Sequence, residues 1–224
     1  MDRTLLSLCL LFLGLTIQAQ ESSLPIPKDH QQVLSCSGDL DGDGIKEYAI
    51  AYNIADLTKA NDRELIIFKR ETDGYVIWKR SSEALQPSWV GKKKDPLNAM
   101  SIKAGVLLIH HTGGEIATWH QFDKYRYKEG EMYLIGYSFR ENTECRFYNK
   151  YQSRDEFNLE TGNIVLDFIT WSCNRSGGPI VTGKEKEFMT KKGVKVTLEK
   201  RNSGEFETTT PKNRRKVKLL LKNS

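Results

Sequence analysis

Three aspartates at alternate positions mark the chemically informative stretch of this chain, Asp39-Leu-Asp41-Gly-Asp43-Gly-Ile-Lys-Glu47. A backbone that curls brings alternate carboxylates together, and Gly42 and Gly44 permit a tight curl. Hard oxygen donors grouped in this way suit Ca²⁺, which takes roughly six to eight oxygens at about 2.3–2.6 Å. By spacing, the expected ligands are the side chains of Asp39, Asp41, Asp43 and Glu47, with the Ile45 carbonyl between them. Mg²⁺ fits less well, because it tolerates irregular cages poorly. The expected role is structural, since an ion that pins a loop adds its binding free energy to folding. The competing reading is a metal-free loop held by Asx-turns. Against it, acidic groups this close repel strongly without a cation.

His110, His111, His120 and Asp123 are the other candidates for chemistry. A hydrolase with a dispersed His/Asp site would draw on these four. Adjacent histidines on a strand point to opposite faces, so at most one of His110 and His111 can join His120. No cysteine or carboxylate stands at zinc-ligand spacing from them. The chain has no Gly-x-Ser-x-Gly elbow, no His-Glu-x-x-His helix and no phosphate-binding glycine loop. The expectation therefore leans to a non-enzymatic protein, with one packed and one exposed histidine. Tyr133, Ile135, Tyr137 and Phe139 share one strand face by period two, with Tyr125 and Tyr127 across from them. Core packing explains them better than an aromatic ligand platform does.

The formal net charge of +5 is unevenly placed. From Lys184 onward 13 Lys+Arg face 5 Asp+Glu, whereas residues 20–183 carry 20 against 23. Arg214, Arg215, Lys216 and Lys218 are the candidate contacts for a polyanion such as a glycan or lipopolysaccharide; nucleic acid is not an expected partner. The competing reading is a solvated strand face. Val194, Val196 and Leu198 alternate with polar residues, as Val217, Leu219 and Leu221 do, and lysines on such strands discourage edge pairing.

The elements that must position these residues follow from the rest of the chain. Arg3, the apolar run Leu5–Ile17 and the small residue Ala19 read as a signal peptide cleaved after residue 19. Export to a bacterial periplasm or beyond follows, and no other apolar run approaches the ~20 residues of a membrane helix. Cys36, Cys145 and Cys173 then remain, an odd number in a compartment that permits disulfides. Cys145 and Cys173 are the favoured pair, with three buried free thiols as the alternative. Residues 20–32 form a polar lead-in arm with Pro25 and Pro27, and residues 33–224 form a single β-rich domain.

Within that domain one rhythm recurs: a short apolar or alternating run, a Gly-containing turn, then another run. Glu64–Lys69 is followed by Tyr75–Trp78, Met100–Lys103 by Val106–Ile109, and Phe122–Lys128 by Met132–Phe139. Phe157–Leu159 is followed by Asn163–Trp171, and Phe188-Met189 by Val194–Leu198. These are hairpin signals. Tight turns enforce antiparallel pairing. The expected fold is all-β or mainly β, an antiparallel meander of hairpins with small helical pieces at Ile54–Ala60 and Ser81–Leu85.

A calcium loop between strands resembles the Asp-x-Asp-Gly-Asp-Gly loop of FG-GAP and VCBS-type repeats, found in integrin-like propellers. The likeness covers residues 36–52 and implies a Ca²⁺ site without implying a propeller, since the motif occurs once. An EF-hand is excluded, because its twelfth loop position is Ile50 and the flank Tyr48–Tyr52 is strand-like. The chain as a whole resembles a group of uncharacterised secreted bacterial proteins. They share one such loop, a Gly-Gly, a Tyr-Arg-Tyr…Tyr-Leu-Ile-Gly-Tyr hairpin and a strand like Asp155–Gly162. That resemblance carries structural motifs and no activity to transfer; the expected function is a non-enzymatic, exported, calcium-stabilised binding or envelope-associated protein of unknown ligand.

Overall fold

Apolar runs that alternate with polar residues between tight turns fold here into antiparallel meanders, one in each of two large sheets. The structure, a computed structural model, describes residues 24–54, 63–88, 95–115, 117–145, 149–174, 178–202, 206–214 and 216–218. A four-stranded sheet holds β1 (His30–Gly38), β2 (Glu47–Ile54), β3 (Arg63–Glu71) and β4 (Gly74–Ser81) in chain order. A seven-stranded sheet follows, also in chain order. Its strands are β5 (Leu97–Lys103), β6 (Val106–Gly113), β7 (Ala117–Lys128), β8 (Glu131–Thr143), β9 (Asn149–Asn158), β10 (Asn163–Asn174) and β11 (Gly178–Thr190). A small hairpin, β12 (Glu207–Thr209) with β13 (Lys216–Lys218), completes the described strands. At the β5–β6 and β7–β8 turns, Ala104-Gly105 and Glu129-Gly130 place two successive residues at positive φ. That is the mirror-image turn whose twist matches paired strands.

The expected all-β class is therefore the observed one, and the small helical pieces are absent among the described residues. Ser81 ends β4, and the chain bends over Ser82–Leu85 without forming a helix. The Ser81 hydroxyl accepts from the Glu83 and Ala84 N–H groups and donates to the Leu198 carbonyl at 2.6 Å. A serine that bonds its neighbours' backbone in this way favours a turn over a helix. Most of Ile54–Ala60 lies outside the described residues, as does the expected signal peptide; Ile54 itself is the last residue of β2. Strand β1 begins at His30, inside the expected lead-in arm. No helix among the described residues is long and apolar enough to cross a membrane.

The two large sheets share one core. Ala49 and Ala51 of β2 and Leu65 and Ile67 of β3 join Leu107, Ile109, Tyr125, Leu134 and Ile164 of the larger sheet. The opposite face of β2 and β3 buries Ile50, Tyr52, Ile66 and Phe68 under Leu24, Tyr48 and Tyr75.

Two departures from simple alternation shape the larger sheet. A bulge in β8 sets Lys124 opposite Gly136 and Tyr125 opposite Leu134, leaving Ile135 without a partner on β7, while its carbonyl accepts from Leu159 N–H at 3.0 Å. Inward alternation therefore changes phase there: Met132, Leu134 and Tyr137 are buried, while Tyr133 and Ile135 are only half-buried. The expected single face of Tyr133, Ile135, Tyr137 and Phe139 is broken by that one extra residue.

The second departure concerns Val194–Leu198, which does not form a hairpin with β11. It docks instead along the part of β8 that β9 leaves free. Leu134 N–H donates to the Val196 carbonyl and Leu198 N–H to the Met132 carbonyl, each at 2.8 Å. Val196 and Leu198 are buried as their alternation requires. Leu198→Ala should therefore lower the free energy of unfolding by about 2–5 kcal/mol. A urea midpoint unchanged from that of the parent would show that the segment does not hold β8.

Candidate metal centre

The loop between β1 and β2 is built by its own carboxylates. Asp39 accepts from the N–H groups of Gly42 and Gly44 at 2.7 and 3.0 Å. Asp41 accepts from Asp43 N–H at 3.3 Å, and Asp43 from Ile45 N–H at 2.8 Å. Gly42 and Gly44 both take positive φ, which closes the curl. As a result Asp39, Asp41 and Asp43 each place an oxygen within 4.8 Å of the others, and this cluster can hold a metal ion.

Glu47 sits beneath the loop at the first position of β2. It is fully buried, on the inward side that Ala49 and Ala51 continue. One carboxylate oxygen accepts from Leu40 N–H at 2.7 Å. The other, Oε1, is enclosed and has no hydrogen-bond partner among the described residues. Burial raises the affinity of Glu47 for its proton, the Leu40 N–H opposes that, and the neighbouring Asp41 and Asp43 charges add to it. The structure gives Glu47 a place under the loop but not among the three converging aspartates. The Ile45 side chain is exposed, and the hydrogen bond shown for its backbone is the one its N–H donates to Asp43.

The sequence reading missed Lys69. Period two along β3 carries the inward row Leu65, Ile67 and then Lys69, which delivers an ammonium to the loop. Its Nζ bonds Asp41 and lies 2.9 Å from Asp43. It also sits 5.3 Å from the Trp78 ring centroid, and Trp78 packs against Tyr127 of β7 at 4.5 Å. The hydrogen bond from Lys69 holds the Asp43 carboxyl below its usual range, and the two aspartates raise the Lys69 ammonium above its own. A lysine ending an otherwise apolar inward row was the available signal.

Comparison with known proteins supplies no shortcut. The chain matches no family model, no curated protein and no solved structure.

The four residues of the hydrolase reading do not assemble. His110 and His120 lie on the outer face of the larger sheet, with Nε2 and Nδ1 3.1 Å apart and the His110 ring stacked on Phe122 at 4.2 Å. His111 and Asp123 lie on the inner face, fully buried. Both Asp123 oxygens are taken by Arg201, at 2.7 and 3.1 Å, in a pair with no solvent exposure on either side chain. The Arg201 guanidinium also stands 5.6 Å from the Tyr137 ring centroid. His111 Nε2 accepts from Gln86 N–H at 3.2 Å, so the proton of the neutral ring is on Nδ1. Burial, the largest cause, holds that imidazole down to about 4 from an ordinary 6.5; the Asp123 charge opposes this, and the Arg63, Arg201 and His110 charges each add a smaller lowering. Close by, the buried Arg63 pairs with Asp95 and donates to Asn53 at 2.9 Å.

The remaining sequence candidates are scattered. Lys216 pairs with Glu207 at 3.2 Å, and the segment before it is tied to β11, with Lys212 N–H on Glu187 and Asn213 on Glu185. Arg214 is exposed, Arg215 lies outside the described residues, and Lys218 ends β13. Cys145 and Cys173 form a disulfide that ties the chain beyond β8 to β10. Cys36 is free, and burial pushes its thiol up to about 11, away from thiolate reactivity.

Removing one partner of a fully buried ion pair costs about 3–5 kcal/mol. Arg201→Ala should lose that much by urea denaturation, and Asp123→Leu with Arg201→Met should recover a large part of it. A single variant no less stable than the parent would contradict the pairing. His111 gives a pH signature. Below 6.5 the unfolded chain takes up a proton that the folded protein refuses until about 4, so stability falls as pH drops through that window. The loss should be on the order of 3 kcal/mol and should vanish in His111→Gln. An equal slope in both proteins would contradict it.

Proposed function

We propose that this chain is an exported, calcium-stabilised β protein of the envelope-associated or binding kind and not an enzyme. The observation that carries the calcium reading is the buried Glu47 oxygen without a partner, beneath three aspartates that converge from one curled loop. A partnerless buried carboxylate oxygen is costly; in this reading a hard cation gathered by Asp39, Asp41 and Asp43 draws that oxygen in as a further ligand. Ca²⁺ suits such a donor set better than Mg²⁺, because it accepts more oxygens in irregular arrangements.

In this reading Lys69 and Ca²⁺ compete for the same carboxylates. The ion displaces the ammonium from Asp41 and Asp43, and Lys69 keeps its place beside Trp78. The role is structural, because loop, β2, β3 and β7 meet at that point. Export is supported by residues 1–19 as read from the sequence and by the Cys145–Cys173 disulfide, a bond that persists in oxidising compartments. The separation of His110 and His120 from His111 and Asp123 weighs against the hydrolase alternative. The pairing of Lys216 with Glu207 weighs against the polyanion alternative.

Thermal melting with added calcium and with excess chelator tests the metal. At a hundredfold excess over the dissociation constant, an ion stabilises by about 2.7 kcal/mol, which raises the midpoint of a chain this size by roughly 5–10 °C. Glu47→Gln should abolish the response, and Lys69→Met should tighten calcium binding by removing its competitor. A midpoint identical in calcium and chelator would remove the calcium reading.

A further inference from the structure

The outer face of the larger sheet carries an open cleft of about 720 Å³ across β5 to β9. Its shape comes from the bulge. Ile135 is extruded from the pairing, and at Gly136 the missing side chain leaves room for the Lys124 stem, whose Cδ would lie 3.4 Å from a Cβ there. Neighbouring rows bring Leu108 beside Lys124, and His110 beside Phe122. Leu108, Phe122 and Ile135 are half-buried and make an apolar strip along the floor.

The charges around that strip are unequal. Arg126 is paired with Glu160 at 2.5 Å and Arg140 with Glu156 at 3.5 Å. Lys103 and Lys124, both exposed, make no ion pair among the described residues. Two uncompensated ammonium groups thus border an apolar floor, with the Ser101 hydroxyl as a further donor. On the β9 side, Glu156 and Glu160 would repel an extended polyanion. The volume falls in the range of about 300–1,000 Å³ typical of small-molecule sites.

We propose that this cleft binds a small amphiphilic carboxylate. The carboxylate head sits between Lys103 and Lys124, and the aliphatic or aromatic body lies along Leu108, Phe122 and Ile135. The inference deepens the binding-protein reading and is independent of the metal. Titrations run in both calcium and chelator keep failure of the one separate from failure of the other.

The test is isothermal titration of the full mature chain, below micelle concentrations, with three probes. Dodecanoate has head and body, butyrate the head with little body, and dodecyltrimethylammonium the same body with the opposite charge. Dodecanoate should saturate one site, and the other two should bind at least about tenfold more weakly. Lys103→Glu with Lys124→Glu should weaken dodecanoate at least about tenfold and leave circular dichroism unchanged. Lys124→Gln, a milder exposed substitution, should weaken it severalfold and is read in the same way. Absence of saturable dodecanoate binding, equal binding of the cationic probe, or unaltered affinity in Lys124→Gln would each overturn the proposal.

Discussion

Carboxylates brought within reach of one another must share positive charge, and in this protein that requirement falls where the two sheets meet. The β1–β2 loop gathers Asp39, Asp41 and Asp43 by hydrogen bonds from its own backbone. Lys69 answers two of them from β3, and beside it Trp78 of β4 packs on Tyr127 of β7. The loop, the smaller sheet and the β7–β8 hairpin are thus tied through one ammonium. An ammonium is a single charge with three donors. It leaves Asp39 to the backbone and the inner oxygen of Glu47 without a partner. In the proposed exchange of Lys69 for Ca²⁺, a divalent cation would meet both demands and strengthen the junction.

The buried pair of Asp123 and Arg201 answers a different constraint. Beyond β11 the chain must return to cover the inner face of β7 and β8. It does so with Val196 and Leu198 packed in the core and Arg201 directed at Asp123. Replacing a charge pair by well-packed apolar groups is often neutral for stability. Its contribution here is to fix which part of the returning chain meets which strand. The acidic loop, at the surface, is open to exchange; this pair, without solvent, is closed to it. A carboxylate so occupied is poorly suited to acid–base work, and this is the physical content of the case against a catalytic Asp123.

What was legible in the sequence was local. The loop could be read because its acidic residues lie within nine consecutive positions, and the hairpins because glycine turns separate alternating runs. The illegible features all depend on contacts distant in sequence. Lys69 reaches the loop from 28 residues away, and Arg201 reaches Asp123 across 78. Val194–Leu198 has the right alternation for a strand, but its partner is β8 and not the strand just before it, a choice that depends on where β9 stops. The bulge at Ile135 has no turn residue to announce it apart from Gly136, yet it redirects two aromatic side chains and shapes the outer cleft. Period two predicts faces only while the register is unbroken.

The most direct measurement of the central claim is a crystal structure of the mature protein grown with calcium. The account predicts one ion bonded to oxygens of Asp39, Asp41 and Asp43 and to the inner oxygen of Glu47, at about 2.3–2.6 Å, with the Lys69 ammonium moved away from Asp41 and Asp43. Lys69 still seated between those two aspartates, with no ion in the loop at saturating calcium, would contradict it.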